Sequence, residues 1–241
     1  MANQVLDECE STNTYLKKCG EEGAPHGTWI SARVQTAGRG RMGRVWEASL
    51  GNLYLSVLVR LSESTSITWI PLLTAVSVAE TILKLKPDSP VAIKWPNDLV
   101  IARGGSLQKA GGILCEGVGQ KGSSFVVVGI GLNCQEAPAV DQPTASLGMD
   151  CDLLRPLLIQ DLLAQYRDGE FDPQDIQRRF MERSIIQAGD PLEWTDQKGH
   201  LLSGEFLGLG KLGELCVKIG KETRSLYSEE IKLKPIRPKD V

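Results

Sequence analysis

The 241-residue sequence has little of what several common kinds of site require. It contains two histidines, His26 and His200, too few for an HExxH motif or a histidine-rich metal site. Its six cysteines form no CxxC pair and are too sparse for a disulfide scaffold, so we expect free thiols and a cytoplasmic location. The chain opens with no secretory signal pattern, and no apolar run approaches the roughly 20 residues of a membrane span. We therefore expect no membrane partner. A Cys–His nucleophilic pair has no local support.

A strong charge of either sign is also lacking. Lys and Arg number 27 and Asp and Glu 30, for a net charge of −3. This balance argues against binding nucleic acid through global charge, although it leaves room for a local basic patch. The composition is that of a globular protein, and the length suits one large domain or one domain with a small companion.

The apolar pattern predicts an α+β main domain followed by a small β module. Helices are predicted at 12–19, 70–86, 152–166 and 173–185, and strands at 28–35, 52–61, 91–95, 99–102, 111–118 and 123–133. Alternation in 52–61 indicates a strand with one buried face. After residue 188, short strands are predicted at 192–195, 201–207, 214–219, 223–227 and 231–233, which is typical of a β barrel. We therefore expect a catalytic domain over 1–186 and a β domain over 187–241.

The segment RVQTAGRGRMGRVW, residues 33–46, is the most distinctive. Its four arginines can bind phosphate bidentately, and its three glycines let the backbone approach a ligand. It is neither a P-loop nor a GxGxxG turn. The segment is thus interpreted as an anion-binding loop, with a solvated basic loop or an RNA-binding Arg/Gly tract as alternatives.

Three further segments carry candidate chemistry. In KWPND, residues 94–98, Asn97 and Asp98 could form only a turn, or could present an amide and a carboxylate able to hold Mg²⁺. Lys109, before Gly-Gly, is either solvated or reaches a phosphate or carboxylate. The glycines of GIGLN, residues 129–133, mark close backbone approach or an unfilled strand end.

Together these segments closely resemble biotin–protein ligases, the biotin–[acetyl-CoA-carboxylase] ligases. The resemblance covers nearly the whole chain in order, and its most specific parts are the GRGR loop and KWPND. Its segments are Ser11-Thr12-Asn13, QTAGRGR at 35–41, NLYLS at 52–56, KWPND at 94–98, residues 109–116 and GIGLN at 129–133.

The resemblance implies a mixed β-sheet with flanking helices, of the class II synthetase-like type, and a small C-terminal SH3-like barrel. It also implies a two-step reaction that needs ATP and Mg²⁺. Biotin is activated to biotinyl-5′-AMP with release of pyrophosphate, and is then transferred to a lysine of the biotin carboxyl carrier protein, a subunit of acetyl-CoA carboxylase. The Arg/Gly loop would order over bound biotin.

Site residues follow from the same resemblance. Biotin would be held by Ser11, Thr12, Asn13, Gln35, Arg39, Gly40, Arg41 and Lys109. ATP and the adenylate would be held by Arg41, Arg44, Trp46, Asn97, Lys109, Gly131 and Asn133. The catalytic residues would be Arg41, Lys109 and Asp98, with Asp98 as the metal ligand.

Some features depart from the family or leave choices open. Met42 and Val45 stand where relatives often carry basic residues, which could loosen retention of the adenylate. No helix-turn-helix precedes Ser11, so we expect no operator DNA binding. A homodimer could form if the strand at 123–133 lies at a sheet edge. The alternatives are a lipoate or octanoate transferase of the same fold family, a non-catalytic nucleic-acid-binding protein, and a biotin-binding pseudo-enzyme.

Overall fold

The computed structural model of the chain describes residues 3–61, 66–103, 105–119, 124–167, 170–196, 199–227 and 231–233. Within these ranges a seven-stranded mixed sheet is flanked by helices, and a five-stranded antiparallel sheet follows it. The predicted fold class is thereby confirmed.

The first sheet runs in the order β1-β2-β3-β7-β6-β5-β4, with only the β1–β2 pair parallel. Its strands are β1 (Gln4–Cys9), β2 (Trp29–Gln35), β3 (Leu53–Val59), β4 (Val91–Lys94), β5 (Asp98–Arg103), β6 (Ser106–Val118) and β7 (Phe125–Leu132). The prediction that 123–133 could be an edge strand is wrong, because β7 lies at the centre of the sheet between β3 and β6. β1 was not predicted, since its short run alternates with exposed acidic residues.

Four helices flank this sheet: α1 (Thr12–Glu21), α2 (Ile70–Leu85), α3 (Cys151–Tyr166) and α4 (Pro173–Arg183). The Ser11 hydroxyl caps α1 by accepting from the Thr14 N–H. Pro156 lies inside α3, five residues after the helix begins. It has no N–H, so the helix lacks one hydrogen bond there.

Helices cover both faces of the sheet, so β3 is buried on both sides rather than on the one predicted. Leu55 and Val57 belong to the core that includes α2 and α3, whereas Leu58 packs with Leu16 of α1 and Val127. Adjacent residues of a strand point to opposite faces. It follows that α1 lies on the face opposite α2, and this puts the start of α1 beside the middle of β3.

Among the described residues, the segment Ile67–Leu85 is the one helical stretch long and apolar enough to cross a membrane by length and composition. Thr, Ser and Glu interrupt its apolar run. Two thirds of it is buried within the fold, which is the placement of a core helix.

The second sheet contains the five predicted short strands in the order β11-β10-β9-β8-β12. They are β8 (Pro191–Thr195), β9 (Leu201–Leu209), β10 (Leu215–Ile219), β11 (Glu222–Leu226) and β12 (Ile231–Leu233). Its core is continuous with that of the first sheet, and the Trp95 indole N–H donates to the Gly213 carbonyl over 2.9 Å. The predicted boundary at 186/187 falls between α4 and β8, and the division into domains stays a prediction.

Candidate active site

One open cleft lies where the start of α1, the Arg/Gly loop, the β4–β5 turn and the middles of β6 and β7 meet. Thirteen of the fourteen predicted site residues line this cleft. They are Ser11, Thr12, Asn13, Gln35, Arg39, Gly40, Arg41, Arg44, Trp46, Asn97, Asp98, Lys109 and Gly131. Residues separated by up to 120 positions in sequence are thus brought to one place by the antiparallel order of the sheet.

The Arg/Gly loop forms a narrow hairpin at this cleft. The Gly40 N–H donates to the Arg44 carbonyl over 2.7 Å, and the Trp46 N–H donates to the Gly38 carbonyl over 2.9 Å. At the tip, Met42 adopts a left-handed backbone conformation with φ 56° and is 81% exposed. Left-handed backbone is unfavourable for a side chain of this kind, so the tip is the strained part of the hairpin.

Arg41 reaches from the hairpin to the β4–β5 turn. Its guanidinium donates to the Asn97 Oδ1 over 2.9 Å, and the Asn97 amide in turn donates to the Ile113 carbonyl of β6 over 2.7 Å. Burial lowers the pKa of Arg41, against the effect of Asp98, and the neighbouring Arg44 lowers it further. A guanidinium remains charged after such a shift, so an anion entering the cleft meets a cation already stripped of part of its water.

Lys109 lies beside the same point and is ion-paired with Asp98, with 2.8 Å between Nζ and Oδ1. Both side chains are mostly buried, and the Lys109 ammonium also lies 5.5 Å from the centre of the Trp46 ring. Asp98 therefore acts in this structure as the counter-ion of Lys109.

The donor set tests the predicted metal role of Asp98. The described part of the chain holds no group of three or more His, Cys, Asp and Glu side chains that could bind a metal. A single carboxylate suffices for Mg²⁺ when phosphate oxygens and water supply the other ligands. The residues therefore fit magnesium that arrives with a nucleotide better than a resident ion, and direct ligation by Asp98 stays a prediction.

Opposite the arginines, a buried polar network connects α1, β2 and β3. The Thr12 N–H and hydroxyl both contact the Gln35 Oε1, at 2.8 and 3.0 Å. The Ser56 hydroxyl lies 2.8 Å from the Thr12 Oγ1 and 2.6 Å from the Asn13 Oδ1. Three oxygen–oxygen contacts therefore share two hydroxyl hydrogens. The network can accept one further donor, such as an N–H of a ligand.

Two glycines in β7 make room for the side chains of Asn13 and Trp46. A Cβ at Gly129 would lie 2.2 Å from the Asn13 Oδ1, and a Cβ at Gly131 would lie 2.7 Å from the Trp46 ring. Gly129 pairs across the sheet with Ser56 and Leu114, both of which contact the Asn13 amide. Of the two readings of GIGLN, the structure supports close approach, but by side chains of this chain rather than by a ligand.

Trp46 and Asn133 each have one buried polar atom without a hydrogen-bond partner, but only Trp46 lines the cleft. The Trp46 Nε1–H is buried beside Gly131 without a hydrogen-bond partner. Asn133 does not line the cleft. Its amide donates to the carbonyls of Lys109 and Ala145, which makes it a brace behind the Lys109 strand, and its Oδ1 has no partner.

Some residues of the site were absent from the predicted set. Lys94 and Gln142 line the cleft, Ser56 joins the polar network, and Glu116 accepts from Asn13 over 2.7 Å and pairs with Arg39. Ser56 and Glu116 lie inside segments that carry the family resemblance. The signal for them was their alternation within strands, which marks the face shared with Asn13.

The fold and the site define an enzyme that binds an anionic ligand through arginine and lysine and a smaller polar ligand beside it. Residues 5–133 match the biotin/lipoate A/B protein ligase family. This is more than half of the chain, and the chain belongs to that family.

Within the family the chain groups with the biotin ligases, as its motifs predict. It is 38% identical over 235 residues to the biotin–[acetyl-CoA-carboxylase] ligase of Mycobacterium tuberculosis, covering 91% of this chain and 84% of that protein. It is 36% identical over 173 residues to the bifunctional ligase/repressor BirA of Escherichia coli, covering 66% of this chain and 52% of that protein. This chain therefore matches about half the length of the E. coli protein.

Solved structures agree on the fold. The biotin protein ligase of Aquifex aeolicus in complex with biotin and ATP superposes with a TM-score of 0.78, covering 97% of this chain and 99% of that one. The identity is 22%, so this likeness shows the fold alone.

Proposed function

We propose that the chain joins biotin to ATP and then to a carrier lysine. In the first step a biotin carboxylate oxygen attacks the α-phosphorus of Mg·ATP, the α–β phosphoanhydride bond breaks, and pyrophosphate leaves. In the second step the lysine amine attacks the acyl carbon of biotinyl-5′-AMP, AMP leaves, and the amine proton passes to solvent. Biotin and ATP are thus substrates.

The observation that carries this proposal is the charge of the cleft. Five cationic side chains line it against one carboxylate, and that carboxylate is paired with Lys109. The cations are Arg39, Arg41, Arg44, Lys94 and Lys109. Joining a carboxylate to a polyphosphate needs positive charge in place before the reaction, because both reactants repel each other. Histidine and cysteine, which this cleft does not use among its described residues, have no part in such a step.

Arg41 and Lys109 take the central roles. Both are fixed from behind, Arg41 by Asn97 and Lys109 by Asp98, so their charged ends are oriented without a ligand. We assign them to the biotin carboxylate and the α-phosphate, where charge develops. Arg44, Trp46, Asn97 and Gly131 border the adenylate.

The polar network at Thr12, Asn13, Gln35 and Ser56 suits the ureido ring of biotin. A urea presents two N–H donors and one carbonyl acceptor, and this network has an acceptor to spare. Ser11 and main-chain groups of Arg39 and Gly40 complete that end of the cleft. Asn133, by contrast, supports Lys109 from behind, so we replace its predicted nucleotide contact with this bracing role.

The names of the relatives imply that the partner is the biotin carrier of acetyl-CoA carboxylase. A lysine on an extended turn can enter the cleft from its open side. We keep the cytoplasmic location and the possible homodimer as predictions. A dimer formed by strand pairing of the first sheet would use β1, because β7 is central and β4 is covered by the Ser184–Ile185 backbone.

The test is biotin-dependent pyrophosphate release from Mg·ATP by the purified chain, with lipoate and octanoate as parallel acids. Release with biotin alone supports the proposal, and release with lipoate or octanoate alone would transfer the chain to the sister activity. A second measurement follows biotin on the carrier lysine by mass spectrometry. Failure to release pyrophosphate with any acid would contradict the proposed function.

A further inference from the structure

Glu116 of β6 connects the two ends of the cleft. Its Oε2 accepts from the Asn13 amide over 2.7 Å, and the Arg39 guanidinium lies 3.3 Å from its Oε1. Arg39 belongs to the Arg/Gly hairpin, whereas Asn13 belongs to the buried polar network. One carboxylate therefore contacts both the Arg/Gly hairpin and the buried polar network that would hold the biotin ring.

We propose that Glu116 is a positioning residue that latches the Arg/Gly hairpin to the biotin end of the cleft through Arg39 and Asn13. The proposal rests on the proposed function for the identity of the ligand. The latch itself is independent of the proposed function, because it consists of contacts between side chains of the ligand-free chain.

The hydrogen-bond acceptors around Asn13 determine the orientation of its amide. An ionised carboxylate only accepts hydrogen bonds, so Glu116 requires the Asn13 Nδ2 to face it. The Leu114 carbonyl, 3.2 Å from the same Nδ2, requires the same orientation. The Asn13 Oδ1 is thereby turned toward Ser56, at the point where the network accepts a further donor. Removing the carboxylate charge weakens the stronger of the two acceptors that hold this orientation.

The other half of the latch is weak enough to release. Arg39 is 48% exposed and Glu116 31% exposed, and pairs at such positions contribute little stability. Arg39 has a second anchor in the Thr14 Oγ1, 3.1 Å away on α1. Arg39 thus ties the hairpin to β6 and α1 through two modest contacts, which can part for substrate entry and form again, and the carboxylate biases the hairpin toward the closed form.

The experiment compares Glu116→Gln with Glu182→Gln, which removes a carboxylate that pairs with Arg178 on exposed α4, away from the cleft. Pyrophosphate release gives KM for biotin and kcat. Trypsin cleavage after Arg41 and Arg44 in ligand-free protein reports the population of open hairpin. Arg39→Gln breaks the same contact from the exposed side, so it keeps the test decisive if Glu116→Gln folds poorly.

We expect Glu116→Gln to raise KM for biotin about fivefold with kcat within twofold, and to speed hairpin cleavage by a similar factor. We expect Arg39→Gln to raise KM likewise, and the double variant to add little, because the two residues act through one contact. A kcat that falls as far as kcat/KM, fully additive effects, or equality with Glu182→Gln would overturn the latch. An inactive wild type would refute the proposed function instead, and the ligand-free cleavage rates would still decide for or against the latch.

Discussion

Replacing Gly129 with alanine places a methyl group against the most buried part of the candidate biotin site. The new Cβ would lie 2.2 Å from the Asn13 Oδ1 and 2.8 Å from its Cγ. Asn13 is 4% exposed and makes hydrogen bonds to Leu114, Glu116 and Ser56, so its side chain cannot move without disturbing them. An ordinary contact requires it to shift by more than about 1 Å, which would break hydrogen bonds of 2.6 Å to Ser56 and 2.7 Å to Glu116.

The cost follows from these contacts. Two lost side-chain hydrogen bonds contribute about 1 kcal/mol each, and overpacking a dense core adds about 1–3 kcal/mol. We expect the free energy of unfolding to fall by about 3 kcal/mol, which lowers Tm by about 6–12 °C for a chain of this size. We expect KM for biotin to rise at least about tenfold, because displacing Asn13 costs the ligand about one hydrogen bond.

The assay is thermal unfolding followed by circular dichroism, together with KM for biotin from pyrophosphate release. Gly119→Ala is the matched control, because a Cβ at Gly119 would meet no atom within 4 Å. The double variant Gly129→Ala/Asn13→Ala removes the clashing amide, so it recovers Tm while KM stays high. Equal Tm and KM for Gly129→Ala and Gly119→Ala would refute the reasoning, as would recovery of KM in the double variant.

The remaining predictions concern four other features of the chain. Lys109→Met lowers kcat for pyrophosphate release about 10²–10³-fold, whereas Lys218→Met on the exposed face of β10 leaves it unchanged; a fall of under threefold at Lys109 would contradict its role. Arg41→Gly weakens retention of biotinyl-5′-AMP and labels bystander lysines on added albumin, counted by mass spectrometry, and unchanged selectivity would count against the Arg41 assignment. Biotin with Mg·ATP slows tryptic cleavage within 38–44, and equal rates with and without ligand would disprove ordering of the hairpin. Burial raises the pKa of the Cys134 thiol to about 12. The contribution of this thiol to the free energy of unfolding is therefore complete below pH 9 and is lost as the pH rises toward 12. Iodoacetamide at pH 8 should spare the thiol in folded protein and label it in urea, and rapid labelling of the native chain would refute the burial argument.

The order of motifs made the family predictable because the chemistry of each motif is local. An anion-binding loop needs arginine and glycine in one short segment, and 33–46 contains both without an acidic residue. The helices and the five short strands after residue 188 were predictable for a similar reason, since their apolar periodicity is written along the chain. The predicted ends of these elements lie within a few residues of the observed ends. In the first sheet, β6 begins at Ser106, five residues before its predicted start.

Sheet order was not predictable from the same periodicity. The run at 123–133 reads as a strand in either an edge or a central place, and only its pairing with β3 and β6 puts it at the centre. The double burial of β3 also depends on a distant element, because α1 covers the face that the alternating pattern left free.

The sequence was enough to show which side chains could meet an anion and where the helices and the described strands other than β1 lie, because charge, glycine content and periodicity belong to residues close in the chain. Tertiary structure alone decided which of those side chains work together. It paired Arg41 with Asn97 and Lys109 with Asp98, turned Asn133 away from the cleft, and brought in Ser56 and Glu116. Such contacts join residues 11 to 103 positions apart, and their geometry exists only after the strands have taken their places in the sheet.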